Sequence, residues 1–167
     1  MSLEEHHRNA ATELQVAIIT VSDTRTLETD RSGQEIERLL GESGHSCSGR
    51  TVVPDDPTKV GLEIRQNLKS QSVEAIILNG GTGLASRDGT VEVVSQFLDR
   101  EIPGFGELFR YLSYKEIGAA AMLSRALGGV AQGKAVFSLP GSSRAVLLAM
   151  EQLILPELGH IIREIRK

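Results

Sequence analysis

Four short apolar runs, each ending in a turn-forming polar loop, constrain the fold of this chain more than any other feature. Val16-Ala17-Ile18-Ile19 stops at Ser22-Asp23-Thr24-Arg25, and a weaker run reaching Val52-Val53 stops at Pro54-Asp55-Asp56-Pro57. Ala75-Ile76-Ile77-Leu78 stops at Asn79-Gly80-Gly81-Thr82-Gly83, and Ala135 to Leu139 stops at Pro140-Gly141-Ser142-Ser143. Unbroken runs of this length suit strands covered on both faces. Helical spacing fills the intervals. Ile36, Leu39 and Leu40 mark one helix, with Ser32 as its N-cap and Gly41 or Gly44 as its end. Val60, Ile64 and Leu68 mark a second. Val91, Val94 and Leu98 mark a third, with Thr90 as its N-cap. Pro103 to Ile117 holds a fourth, with Phe105, Leu108, Phe109 and Leu112 on one stripe. Residues 118–130 receive no assignment. Val146, Met150 and Leu153 mark a helix capped by Ser143, and after Pro156 the residues Leu158, Ile161, Ile162 and Ile165 form a further stripe.

Strands alternating with helices imply βαβ units and a mostly parallel sheet. The carboxyl ends of parallel strands open on one edge, where open α/β sheets bind ligands. The four polar loops therefore converge on one candidate site. A chain of 167 residues, 40% hydrophobic and 24% charged, suits one domain. Residues 1–14 read as a polar, unstructured tail and 15–167 as the domain. In the tail, His6 and His7 offer a paired metal site as the alternative reading.

The net charge of −4 argues against sequence-independent nucleic-acid binding. No apolar run approaches the 18 residues of a membrane span, and no signal-peptide core is present, so the expected compartment is the cytoplasm. Cys47 is the only cysteine, which excludes an intrachain disulfide and a multi-cysteine metal site. With no histidine placed to activate it, Cys47 reads as packing. His45 and His160 read as surface residues.

Gly80-Gly81-Thr82-Gly83 is either a phosphate cradle or a tight turn. Glycines allow positive φ and close backbone approach, and successive amides can form an anion nest. It is no dinucleotide fingerprint, because the third glycine would fall at Ser86, and no Walker Lys-Ser/Thr follows. A G-x-S-x-G elbow and HExxH are absent. Gly141-Ser142, at the start of a helix, repeats the same choice. Asp23, Asp55 and Asp88, with Asp56 as a further candidate, are either Mg²⁺ ligands beside a phosphate or helix caps. Arg25, Arg87, Arg125 and Arg144 are either anion contacts or solvated surface. Without a nucleophile, acid–base pair or redox motif, such a site suits phosphoryl or nucleotidyl transfer by positioning.

Seven ordered segments carry a resemblance. They are Thr20-Val21-Ser22-Asp23, Val53-Pro54-Asp55-Asp56, Asn79 to Leu84, Arg87-Asp88, Pro103 to Glu107, Leu123-Ser124-Arg125 and Leu139 to Ser142. Together they resemble the molybdopterin adenylyltransferase family, and Tyr111 to Gly118 resembles its molybdenum cofactor biosynthesis protein B branch. The resemblance implies a three-layer αβα sandwich of molybdopterin-binding type. It implies MgATP-dependent adenylylation of molybdopterin, giving adenylyl-molybdopterin and pyrophosphate, with a non-catalytic molybdopterin carrier as the alternative. Asp55 and Asp88 take the place of the essential, Mg²⁺-holding carboxylates. Phosphate, pterin and nucleotide groups fall to Ser22, Asp23, Gly80, Gly81, Thr82, Gly83, Arg87, Ser124, Arg125, Pro140, Gly141 and Ser142. A trimer or hexamer is implied, working with other molybdenum cofactor biosynthesis proteins and with no nucleic acid or membrane. Many relatives read Pro-Arg-Asp-x-Thr-Pro after the glycine loop. Here the stretch is Ser86-Arg87-Asp88-Gly89-Thr90-Val91, so the prolines are gone and the charge is kept.

Overall fold

The computed structural model describes residues 13–167. The strands are β1 (Gln15–Val21), β2 (Ser46–Val53), β3 (Ala75–Asn79), β4 (Arg100–Glu101), β5 (Leu127–Ala131) and β6 (Lys134–Leu139). The helices are α1 (Arg31–Glu42), α2 (Pro57–Lys69), α3 (Thr90–Phe97), α4 (Pro103–Ile117), α5 (Ser143–Ala149) and α6 (Leu155–Ile165). The sheet runs β2-β1-β3-β6-β5-β4, parallel through its first four strands and antiparallel at β5 and β4. The three-layer α/β expectation holds.

Side-chain alternation along the central strands builds two cores. Val16, Ile18, Ile77 and Phe137 face α1, α4, α5 and α6, packing on Ile36, Phe109, Met150 and Leu158. Ala17, Ile19, Ile76 and Val136 face α2 and α3, packing on Val60, Ile64 and Val94. Because both faces are covered, strands β1, β3 and β6 are apolar at nearly every position. β1 lies between β2 and β3, so the chain leaves it in one direction and returns on its other side. That reversal puts a crevice between the β1 and β3 loops.

Several local expectations need correction. Leu14, assigned to the polar tail, is fully buried in the first core. Residues 1–12 of the tail, with His6 and His7, lie outside the described residues. The N-cap of α1 is Asp30, whose carboxylate accepts from the Gly33 N–H at 2.9 Å; Ser32 lies inside the helix. Gly89 caps α3 in place of Thr90, and Ser142 caps α5 in place of Ser143. Leu108 is 53% exposed, so the α4 stripe is Phe105, Phe109 and Ser113. Residues 118–130 contain a 3₁₀ turn (Gly118–Leu123) and β5.

Pro156 does not break the last helix. A π turn (Met150–Ile154) joins α5 to α6, with the Leu155 N–H donating to the Met150 carbonyl five residues back. The wider turn absorbs a residue that has no N–H of its own. The resulting helix, 143–165, is long and apolar enough by length and composition to cross a membrane. No single apolar run revealed it. Here Val146, Met150, Ile154, Leu158 and Ile162 are spent on the core. Cys47 is half-buried against the first core, and burial pushes its thiol up. His45 is likewise half-buried and held below the usual histidine range.

Candidate functional site

The carboxyl ends of β1, β2, β3 and β6 bring their loops together. The Ser22 N–H donates to the Val53 carbonyl at 2.8 Å, and the Asp55 N–H donates to Asp23 Oδ1 at 3.0 Å. The Gly80 N–H donates to the Leu139 carbonyl at 3.0 Å. Gly80 and Gly81 take φ of +98° and +66°, conformations that favour glycine. A Cβ on Gly80 would run into the Val21 carbonyl oxygen, and one on Gly141 would lie 3.1 Å from Gly80 Cα. The β1, β3 and β6 loops are thus packed backbone on backbone, a contact that larger residues would prevent.

The acids divide by role. Asp56 accepts from the Lys59 N–H at 3.0 Å and caps α2, so it is spent on structure. Asp23 is ion-paired with Arg87 and accepts from Asp55, which ties the β1, β2 and glycine loops to one another. Asp55 and Asp88 both flank the glycine loop: a Cβ on Gly81 would lie 3.2 Å from Asp55 Oδ1, and one on Gly83 would run into Asp88 Oδ2. Burial first, then the Asp88 charge, pushes the Asp55 carboxyl above the usual carboxylate range; a bond from the Gly89 N–H opposes this. Asp88 also accepts from the Ala85 N–H at 3.2 Å, which folds the glycine loop back on itself. Among the described residues, no group of three or more His, Cys, Asp or Glu side chains gathers into a metal cage. Two adjacent carboxylates completed by phosphate oxygens are nevertheless a donor set that suits Mg²⁺.

The arginines also divide. Arg125 donates to the carbonyls of Thr82 at 3.0 Å, Gly83 at 2.7 Å and Asp88 at 3.0 Å, and pairs with Glu92. It clamps the glycine loop from outside, and its donors face protein oxygens. Arg25 donates to the Gly141 carbonyl and to Ser32 Oγ at 2.9 Å. Arg144 pairs with Glu116 at 2.9 Å. Arg87, 65% exposed, reaches over the cleft from the glycine loop.

Of the remaining candidates, Ser22 Oγ accepts from the Thr24 and Arg25 N–H groups and shapes its own turn. Ser142 Oγ accepts from the Ala145 N–H. Pro140 is half-buried ahead of Gly141. Ser124 stands next to Arg125 and lines, with Arg110 and Met122, a concavity of about 340 Å³. A concavity of about 280 Å³ is lined by Gly83, Leu84, Asp88 and Arg125, and one of about 480 Å³ by Ser22, Asp23, Arg25 and Arg50. A larger one, about 570 Å³, lies between the β4–β5 edge and α6, lined by Ile102, Val130 and Ile161, away from every loop named above. The strand-end group is the candidate site: at the carboxyl edge of the parallel strands it joins Asp55 and Asp88, two consecutive positive-φ glycines and the Ser142 end of α5. Sequence reading missed Asp30, Thr20 and Asn79 behind these loops. The Asp30-x-x-Gly33 spacing was the available signal for the first.

The chain matches the family model described as probable molybdopterin binding domain over residues 17–160. It is 51% identical to molybdenum cofactor biosynthesis protein B of Bacillus cereus over 168 aligned residues, covering 100% of this chain and 99% of that one. The Bacillus subtilis protein of the same name is 49% identical over the same spans. A solved structure titled molybdenum cofactor biosynthesis protein B superposes with a TM-score of 0.90 at 52% identity, covering 92% of this chain and 96% of the other. The tungsten cofactor synthesizing protein MoaB from Pyrococcus furiosus superposes with a TM-score of 0.86 at 35% identity, covering 95% and 100%.

Proposed function

The chain belongs to the molybdopterin-binding domain family, and from that membership we propose that it adenylylates molybdopterin at the expense of MgATP. The coarser role, in molybdenum cofactor biosynthesis, follows from the family and from relatives named for it that align end to end. The single observation carrying the finer reading is that Asp55 and Asp88 flank the positive-φ glycine loop.

In this reaction a phosphate oxygen of molybdopterin attacks the α-phosphorus of ATP. A new P–O bond forms as the bond from the α-phosphorus to the bridging oxygen breaks, and the electron pair leaves with pyrophosphate. Asp55 and Asp88 would hold Mg²⁺, which when bound supplies charge neutralisation to the polyphosphate. The remaining work belongs to the chain. Backbone N–H groups of residues 81–83 and of the Ser142 end of α5 bind anionic oxygens, the Gly80 N–H being held by the Leu139 carbonyl. Arg87 adds positive charge at the rim. Arg125 keeps the glycine loop rigid, so no reorganisation is needed as charge moves.

Pyrophosphate release by the purified chain, given MgATP and freshly prepared molybdopterin, tests the proposal. Release that depends on the pterin is the expected result. Molybdopterin binding without release would make the chain a carrier and overturn the adenylylation reading.

The same reading includes a homo-oligomer, a trimer or hexamer, in the cytoplasm, passing its product to another protein of the pathway. Leu108, Tyr111, Ile117, Met122 and Leu123 are each more than half exposed, and they sit on or just after α4. So concentrated an apolar surface suits contact between copies. Sedimentation velocity should give a species of at least three chains, and Leu108→Glu should shift it toward monomer. A wild-type monomer at micromolar concentration would remove this part of the reading.

A further inference from the structure

Behind the loops lies a carboxylate that the proposed chemistry does not use. Asp30 is fully buried. A buried charge needs compensation from every side, and Asp30 has it. The Thr20 hydroxyl donates to it at 2.7 Å and the Gly33 N–H at 2.9 Å. Arg50 pairs with it at 3.1 Å and Arg25 at 3.9 Å. A side chain at position 33 would collide with this carboxylate, which explains a glycine in the first turn of α1.

Two of these partners, Arg25 and Thr20, lead to different parts of the site. Arg25 extends from Asp30 to the Gly141 carbonyl at 3.3 Å, where Ser32 Oγ also donates at 2.7 Å. In a trans peptide the N–H points opposite to the carbonyl. Fixing the Gly141 carbonyl therefore fixes the direction of the Ser142 N–H at the start of α5. Thr20, in turn, accepts from the Asn79 amide at 2.9 Å, and Asn79 is the last residue before Gly80. One buried charge thus reaches both backbone loops read above as anion sites.

We propose that Asp30 is a positioning residue. Through Arg25 it sets the Gly141–Ser142 peptide, and through Thr20 and Asn79 it sets the strand end from which the glycine loop departs. This inference rests on the adenylylation reading for its kinetic consequence but not for its structural one.

The test uses the full chain with Asp30→Asn, Arg25→Lys and the double substitution. Asparagine keeps an acceptor for the Gly33 N–H and removes the charge that orients the arginines. Lysine keeps the charge and loses the planar fork. In both single variants, amide exchange at residues 141–143 is expected to rise about tenfold while exchange in α2 stays at the wild-type rate, the scale of one lost charge-assisted hydrogen bond. The KM for molybdopterin or for ATP should rise about tenfold with kcat within about threefold, and the double variant should be no more than about twofold worse than the weaker single one, as for residues acting in series. Unchanged exchange and KM, with only a lower Tm, would make Asp30 a fold residue alone. Additive losses in the double variant would also overturn the proposal. Should Asp30→Asn fail to fold, Arg25→Lys alone decides through the exchange readout. If the wild-type chain releases no pyrophosphate, the adenylylation reading falls while the exchange measurement still decides the role of Asp30.

Discussion

Asp88→Asn is expected to cut pterin-dependent pyrophosphate release by roughly 100- to 1,000-fold, the scale of removing one preorganised electrostatic contact from a transferring phosphoryl group. The fold should survive. Asp88 is only half-buried, and its structural bond, accepted from the Ala85 N–H, can be taken over by the amide oxygen of asparagine. The pH dependence gives a second readout. The Asp55 carboxyl is pushed up by burial and by the Asp88 charge. Because the native chain holds that proton more tightly than the unfolded chain does, its stabilising contribution is complete below the unfolded carboxylate pKa. It is lost as pH rises through the native value. Once Asp55 has given up its proton, the Asp88 charge repels it. Asp88→Asn removes that repulsion, so the variant should melt at or slightly above the wild-type temperature, by about 1–3 °C at pH 7. The difference should close once the pH falls below the range in which Asp55 titrates. Full turnover in the variant would remove Asp88 from the chemistry. A Tm many degrees lower would show that its loss acts through the fold.

Burial on both faces explains why the strand-end loops are legible in the sequence. A strand buried on both faces is mainly apolar until it nears its end, where Thr20 and Asn79 stand in β1 and β3. The transition from Ile77-Leu78 to Asn79-Gly80 therefore marks a strand end and a loop at once. Proline, glycine and aspartate at those ends complete the signal. What escaped reading had competing local explanations. Asp30 and Ser32 are both good capping residues, and the bond that the Asp30 carboxylate accepts from the Gly33 N–H, with no room for a side chain at position 33, decides for Asp30. β5 contains Gly128 and Gly129, which argue against a strand by propensity. They are there because Phe105, Phe137 and the Arg100 carbonyl occupy the space that side chains would need. Its hairpin to β6 turns at Gln132 and Gly133, with φ of +48° and +76°, a turn whose first residue gives no strong sign. The apolar spacing of α4 marks a helix, but of its four stripe residues only Phe105 and Phe109 are buried, and Leu108 faces outward. Periodicity identifies an apolar stripe without saying whether the chain's own core or another copy covers it.

The largest effect on both fold and activity is expected from Gly80→Ala. Two costs combine there. A φ of +98° lies beyond even the left-handed helical basin that alanine tolerates, and the new Cβ would meet the Val21 carbonyl oxygen. That oxygen belongs to Val21, the last residue of β1, which is paired with Val53 of β2 and follows Thr20, paired with Asn79 of β3, so it cannot retreat without disturbing the strand end. Strain of this kind, added to a backbone clash, amounts to about 3–5 kcal/mol, and for a domain of this size that lowers Tm by roughly 8–15 °C. Gly133→Ala separates the two costs. It keeps a positive φ of +76°, but its Cβ would meet nothing within 4 Å, so it should lose only about 1–2 kcal/mol and retain full pyrophosphate release. Thermal unfolding of both variants, with turnover measured well below each Tm, distinguishes collision from backbone strain. If Gly80→Ala melts no lower than Gly133→Ala and still turns over, the close approach of the glycine loop to β1 is not what shapes the site.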